Sequence, residues 1–352
     1  MKKYISIILL VVLTMVVLVG CSPGKDNPKN KELSVVKQVK VAVPDGLPAV
    51  AIAKLANENP EIKEGYETVY SIEKTPEAIS TRVMKKDADI AIVPSNMAAI
   101  AYNKTSSYNI VGTVGMGSLY LVSTENIKDY SDLVGKEVGC TGKGLTPDIT
   151  IKSLLLQKDI NYSDIKFNYV SSASELVPLL ATGKVKTGIV PEPALSALMS
   201  KNPDIKIIKS LNDSWKEVSG SKDGYPQSTL IVKSEFLRDN KDFVDSFVGQ
   251  LSNSIDWANK NPEELGAYST GTTCACCAGG AAAAGATAAC EKIKISTESK
   301  IIGKSLERAN LKYIPVKDMI KDYKNYYEKL ANFDDKTLGG KVPDEAIYFV
   351  EK

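Results

Sequence analysis

The sequence predicts an α/β protein of two lobes, each a mostly parallel sheet flanked by helices, with two crossings between them. Two stretches carry that prediction. Residues 87–97 read DADIAIVPSNM. The short apolar run ends at Pro94, as a buried parallel strand would, because proline cannot extend a ladder. Ser95 and Asn96 follow, both good helix caps, and an apolar helical segment starts at Met97. Residues 185–198, VKTGIVPEPALSAL, repeat the pattern. The run again ends at a proline, Pro191. Glu192 takes the polar place, and Pro193 suits a first helical position. Two such units, each with polar residues at the carboxyl end of a strand, imply a cleft between the lobes.

At 352 residues the chain has the length of two ordinary domains, and its 43% apolar content is globular. Histidine is absent, which removes the commonest general base and the commonest neutral metal ligand. No catalytic residue, metal site or cofactor is expected. The formal charge is +2, and Lys2 and Lys3 account for all of it; the rest holds 42 basic and 42 acidic residues. A nucleic-acid partner therefore has no charge support.

Residues 1–20 open with Lys2 and Lys3 and continue as an apolar run broken only by Ser6 and Thr14. The run is short for a spanning helix and right for a signal segment. It ends in Leu18-Val19-Gly20-Cys21, which resembles the lipobox of bacterial lipoproteins. That resemblance implies removal of residues 1–20 and diacylation of the Cys21 thiol. Acyl chains contribute about 0.8 kcal/mol per buried methylene, enough in combination for stable anchoring to a membrane. Residues 21–36, polar and charged, then read as a flexible tether.

Residues 270–290 read TGTTCACCAGGAAAAGATAAC. Such a run of only Ala, Cys, Gly and Thr has a chance on the order of 10⁻¹³, since those types make up about a quarter of average protein. Taken as codons, the string encodes Cys-Ser-Pro-Gly-Lys-Asp-Asn, which is the sequence of residues 21–27. The stretch is therefore expected to be nucleotide text and not native polypeptide. Four of the six cysteines fall inside it, leaving Cys21 for lipid and Cys140 alone. No intrachain disulfide framework follows.

Taken in order, residues 35–43 alternate as a first strand. Asp45-Gly46-Leu47-Pro48 forms a turn, and residues 49–57 a helix. Gly46 would let a ligand approach the backbone. A strand at 66–72 leads to a helix opened by Thr75 and Pro76. Residues 109–124 read as the first crossing, with Gly117 and Ser118 facing the cleft. A short helical turn at 130–133 precedes a strand at 136–140. The loop 141–148 and a helix at 149–156 follow; Gly142, Gly144 and the helix start offer unpaired N–H donors, and Lys143 and Thr146 add polar reach. This loop lacks the Gly-Lys-Ser/Thr ending of a nucleotide-binding P-loop. Strands at 165–169 and 205–208 flank the repeated stretch. Residues 227–232 read as the return crossing, with Tyr225 at its mouth. Amphipathic helices are expected at 236–260 and 316–330.

These residues resemble a known family: the solute-binding lipoproteins of ABC importers, in the nitrate/sulfonate/taurine and thiamine-precursor group. The carriers are DGLPAVAIAKL at 45–55, DADIAIVPSN, VGKEVGCTGKGLTPD at 134–148, GIVPEPALSALM at 188–199, WANKNPEELG at 257–266 and LGGKVPDEAIYF at 338–349. The resemblance implies a type II, periplasmic-binding-protein-like fold that closes on a small molecule by hinge motion. It implies partners in a permease and its ATPase, an extracytoplasmic and lipid-anchored location, and a monomer. Lobe 1 is expected over 37–122 and 226–352, and lobe 2 over 123–225. By position the ligand would meet Gly46, Leu47, Pro48, Ser95, Asn96, Gly117, Ser118, Gly144, Thr146, Glu192 and Tyr225. Helix starts and hydroxyls favour an anionic or acceptor-rich solute, while the Glu192 carboxylate favours an amine or ring N–H. A small heteroaromatic, a zwitterion or an amino-sulfonate would satisfy both. Two alternatives use the same fold: a sensor lipoprotein that signals without transport, and an enzyme. The pyrimidine-synthesising relatives use histidine chemistry that this chain lacks, and Cys140 has no histidine to activate it, so no enzyme activity is expected.

Overall fold

A computed structural model describes residues 36–269 and 295–350. The expected signal segment, the tether up to residue 35 and the stretch 270–290 lie outside the described residues. The strands are β1 (Lys37–Pro44), β2 (Tyr66–Glu73), β3 (Ile90–Pro94), β4 (Tyr108–Met116), β5 (Leu119–Ser123), β6 (Glu137–Thr141), β7 (Lys166–Val170), β8 (Thr187–Pro191), β9 (Lys206–Ser210), β10 (Pro226–Lys233) and β11 (Leu311–Pro315). They form two sheets, ordered β11-β4-β10-β3-β1-β2 and β7-β6-β8-β5-β9.

With β11 set aside, the two orders correspond strand for strand. In the first sheet β1 pairs parallel with β2 and β3, and β10 runs antiparallel between β3 and β4. In the second, β6 pairs parallel with β7 and β8, and β5 runs antiparallel between β8 and β9. The antiparallel strand of each sheet is the one the chain enters when it crosses over. The repeated stretches are β3 and β8, so the sequence repeat marks equivalent places in the two sheets.

The helices are α1 (Leu47–Ala51), α2 (Ala53–Glu58), α3 (Pro76–Met84), α4 (Ser95–Thr105), α5 (Thr146–Gln157), α6 (Ala173–Ala181), α7 (Ala194–Lys201), α8 (Leu211–Ser219), α9 (Ser234–Asp239), α10 (Lys241–Lys260), α11 (Pro262–Ser269), α12 (Ser299–Ala309) and α13 (Ile320–Asp334). Their starts follow local chemistry. The Thr75 hydroxyl accepts the Ala78 N–H at the head of α3, with Pro76 in the first turn. Helix α10 buries Phe243, Phe247, Leu251, Ile255 and Ala258 along one stripe. Each of its large side chains contributes about 1.5–3 kcal/mol by leaving water.

Three cores result. One lies under α1, α2 and α10 on one face of the first sheet. A second sits between the second sheet, α6 and α7. The third is continuous across both sheets: Val93 and Ile231 of the first share it with Leu121 and Ile189 of the second, and with Tyr323, Tyr326 and Tyr327 of α13. Behind the crossings, therefore, the lobes meet through packed side chains.

Four expectations need correction. The sheets are mixed and not mostly parallel: the first has two parallel and three antiparallel pairings, and the second has two of each. The single helix at 236–260 is two, α9 and α10. Asn240 between them leaves helical geometry, at φ −137° and ψ 42°, and its side-chain oxygen accepts from Lys37 and Tyr66. The lobe boundary drawn after residue 122 falls inside β5, all of which pairs within the second sheet. The outward crossing is earlier, at Gly117-Ser118. Helix α8, helix α12 and strand β11 were not foreseen.

Candidate ligand-binding cleft

Three strands of each sheet, β1, β2 and β3 on one side and β6, β7 and β8 on the other, direct their carboxyl ends at a shared cleft of about 780 Å³. That size suits a small organic molecule. Strands β1, β3 and β8 end in Pro44, Pro94 and Pro191, and all three prolines line the cleft. Lacking an N–H, proline stops the ladder there, and the chain turns into a helix whose first N–H groups have no intrahelical acceptor. Helices α4, α5 and α6 begin at the cleft with no side chain capping them, and at α7 the Glu192 carboxylate takes the Ser196 N–H of the first turn. Their positive ends face it from both sides. Before α1, Gly46 adopts φ 101°, a conformation open to glycine, and so brings backbone to the cleft wall.

The charges inside are already compensated. Asp45 accepts the Gly46 N–H at 2.9 Å, pairs with Lys74 at 3.1 Å and accepts from the Ser296 hydroxyl. Glu73 pairs with Arg82 at 2.6 Å. Glu192, fully buried, accepts from Arg308 Nε at 2.7 Å, from the Ser196 N–H at 3.0 Å and from its hydroxyl at 3.1 Å. Burial pushes the Glu192 carboxyl above its ordinary range, against the pull of Ser196 and Arg308. Glu77, Lys201 and Glu298 are exposed at the rim. Among the described residues, no aromatic ring lines the cleft.

Two side chains bridge the lobes within it. Thr146 on α5 donates its hydroxyl to Asn96 Oδ1 on α4 at 3.1 Å, and Asn96 Nδ2 donates to the Thr337 carbonyl at 3.4 Å. Behind Thr146, Asp148 accepts the Gly144 N–H at 2.8 Å and pairs with Lys152 at 2.7 Å. The ammonium of Lys152 sits over the rings of Tyr162, Phe167 and Tyr169. The loop is thus pinned from beneath by a buried ion pair. The N–H of Gly144, expected to be free for a ligand, is taken.

Of the residues singled out from the sequence, Gly46, Leu47, Pro48, Asn96, Gly144, Thr146 and Glu192 line the cleft. Ser95, Gly117, Ser118 and Tyr225 do not. Ser95 precedes Asn96 by a single residue, about 100° around the helix; its hydroxyl turns inward to Thr229 at 2.6 Å. The other three lie at the crossings between the lobes. Ser118 donates its N–H to Gln227 Oε1 and accepts from Gln227 Nε2, both at 2.9 Å. Tyr225 is fully buried, stacked on Tyr326 at 5.5 Å and edge-on to Trp215 at 5.5 Å. A Cβ on Gly117 would stand 2.4 Å from the Tyr225 ring, which is why the crossing carries glycine. Sequence reasoning missed Gln227, which lines the cleft and ties the two crossings together, and Arg308, which neutralises Glu192.

Comparison with solved structures finds the same fold. One is an ABC transporter protein from Parabacteroides distasonis, at 23% identity and TM-score 0.70 over 90% of this chain and 100% of that one. Another is the periplasmic aliphatic sulphonate binding protein SsuA from Escherichia coli, at 14% identity and TM-score 0.66 over 90% and 92%. A third is the alkanesulfonate-binding protein SsuA from Xanthomonas axonopodis pv. citri, bound to MOPS, at 12% identity and TM-score 0.61 over 87% and 94%. At these identities the likeness establishes the fold, that of a two-lobed type II periplasmic binding protein. No match is found among curated proteins. A family model described as NMT1/THI5 like matches residues 63–265, more than half of the sequence, and the chain belongs to that family.

Proposed function

We propose that the protein is the lipid-anchored, extracytoplasmic solute-binding subunit of an ABC importer. It captures a small organic solute between its lobes and delivers it to a permease driven by an ATPase. The observation that carries this reading is the convergence of strand-to-helix turns from both sheets on one cleft, bridged by Asn96 and Thr146. Family membership supports it, as do the aliphatic sulphonate and alkanesulfonate specificities in the names of two structural relatives.

Three uncapped helix starts and abundant hydroxyls favour a solute with an anionic or acceptor-rich end, held by main-chain N–H groups. Arg308 engages Glu192, so the attraction expected for an amine loses its basis. A sulfonate meets these terms. A thiamine-precursor-like heteroaromatic would bind through edge hydrogen bonds, without a ring to stack on. The contacts proposed are Gly46, Leu47, Pro48, Asn96, Gly144 and Thr146. Cys21 carries the lipid, and residues 270–290 are foreign to the native polypeptide; a tryptic peptide containing that run would overturn the last point.

A thermal-shift screen of alkanesulfonates, taurine and pyrimidine thiamine precursors tests the reading. A true ligand at a hundredfold its Kd stabilises by about 2.7 kcal/mol, and Thr146→Val should weaken that response. A screen in which no compound raises the melting point, repeated with titration calorimetry, counts against the site.

A further inference from the structure

Residues 308–312 run from the end of α12 into β11, a strand of the first sheet. Strand β11 lies against β4, with Leu311 opposite Gly115. The polar groups of this segment nevertheless reach elsewhere. The Arg308 guanidinium donates to Glu192 Oε1 at 2.7 Å and to the Ser196 hydroxyl at 2.9 Å, at the head of α7 in the second lobe. The Arg308 carbonyl accepts from the hydroxyl of Tyr120 on β5 at 2.8 Å. Asn310 donates to the Gly117 carbonyl at 2.6 Å, and Lys312 pairs with Asp223 at 2.5 Å. These partners lie in the second lobe or in a crossing, while the Asn310 and Leu311 carbonyls accept from the Met116 N–H and from Asn259, which hold the segment to the first lobe. The segment is a further non-covalent connection between the lobes, beside the two crossings, the shared core and the Asn96–Thr146 bond.

Its contacts differ in what opening would do to them. Gly117 and Asp223 sit at the crossings, where a hinge rotation moves atoms least. Glu192 follows β8 at the cleft wall, its N–H donating to the Ser118 carbonyl at 3.0 Å, and its side chain reaches out from the crossing to Arg308. Rotation about the crossings carries the Glu192 side chain and Ser196 away from Arg308, which sits on α12. We propose that Arg308 is a positioning residue: its bond to Glu192 and Ser196 latches the closed lobes and sets the closed fraction of the ligand-free protein. Glu192 thus serves closure and not ligand charge. The proposal rests on the binding-protein reading only for its consequence on affinity; the latch itself is read without any ligand.

The test uses the ligand-free full chain and three variants, Arg308→Gln, Arg308→Lys and the double variant Glu192→Gln/Arg308→Gln. Small-angle scattering reads the radius of gyration. Hydrogen exchange reads the Ser196 amide, whose N–H donates to Glu192 Oε2. Arg308→Gln should enlarge the radius and speed Ser196 exchange about tenfold, while core strands such as β3 stay protected. Arg308→Lys should fall between. If Arg308→Gln folds poorly, the double variant, which strands no charge, is read the same way. An unchanged radius and unchanged Ser196 exchange in both glutamine variants overturn the latch, and so does a wild-type protein already as expanded as they are. A failed ligand screen would leave these results untouched.

Discussion

Asn96 and Glu192 occupy matching turns, each just past the proline that ends the third parallel strand of its sheet. Both are buried and both line the cleft. Their bonding differs. Asn96 has one good bond, to Thr146, and a long one to the Thr337 carbonyl. Glu192 has three close donors and a full countercharge. A neutral amide with spare hydrogen-bonding capacity can serve a solute and reorganise when one arrives. A saturated buried carboxylate can only be held or released. Topology puts a polar side chain in the same place twice, and partners from distant parts of the chain decide which of the two roles it takes.

The largest effect should come from breaking the charged wall. Arg308→Gln leaves Glu192 buried without its countercharge and should cost about 3–5 kcal/mol in denaturant unfolding. The double variant Glu192→Gln/Arg308→Gln removes both charges and should recover most of that loss. If the single and double variants unfold alike, Glu192 is not held by its ion pair, and the contrast with Asn96 disappears.

On the amide wall the expected change is smaller. Asn96→Ala or Thr146→Val removes one neutral hydrogen bond, worth about 0.5–1.5 kcal/mol. Combining them should cost less than the sum of the two, since they share that bond. Additive costs in a double-mutant cycle would mean the bond across the lobes contributes nothing. Smaller again is the ring contact between Tyr162 and Phe333, edge-on at 5.5 Å. Phe333→Leu should lose about 0.5–1.5 kcal/mol beyond any change in burial, with no effect on Ser196 exchange.

How much of this was legible depended on whether the cause was local. The strand–proline–polar–helix pattern is written within a dozen or so residues, and it located both walls and the parallel strands that carry them, but not the antiparallel strand that each crossing adds. The break at Asn240 was hidden because its side chain answers to Lys37 and Tyr66 on the far side of the sequence. Tyr225 reads as a cleft residue beside a Gly/Ser loop, yet Trp215 and Tyr326 claim its ring. Arg308 lies 116 residues from Glu192, with no spacing rule to join them. Strand β11, five residues long and half buried, carries too weak an alternation to stand out from its surroundings.

The finest distinction is one of pH sign, between Glu192 and a carboxylate remote from both walls. Asp132 caps the turn at Tyr130–Leu133 by accepting the N–H groups of Lys128 and Asp129, and these hold its carboxyl below the ordinary range. A depressed acid stabilises the fold above its unfolded pKa, and the contribution is lost as pH falls through the folded value. The melting-point gap between wild type and Asp132→Asn should therefore be present at neutral pH and close below about pH 3.9, the unfolded aspartate value. Glu192, held up by burial, runs the other way: its contribution is full below the ordinary glutamate value and fades as pH rises through the folded one. The gap between wild type and Glu192→Gln should then move in favour of wild type on acidification. Parallel trends in the two variants would mean that the Arg308 and Ser196 contacts outweigh burial at Glu192, and that the carboxylate is a stabilising ion in its own right.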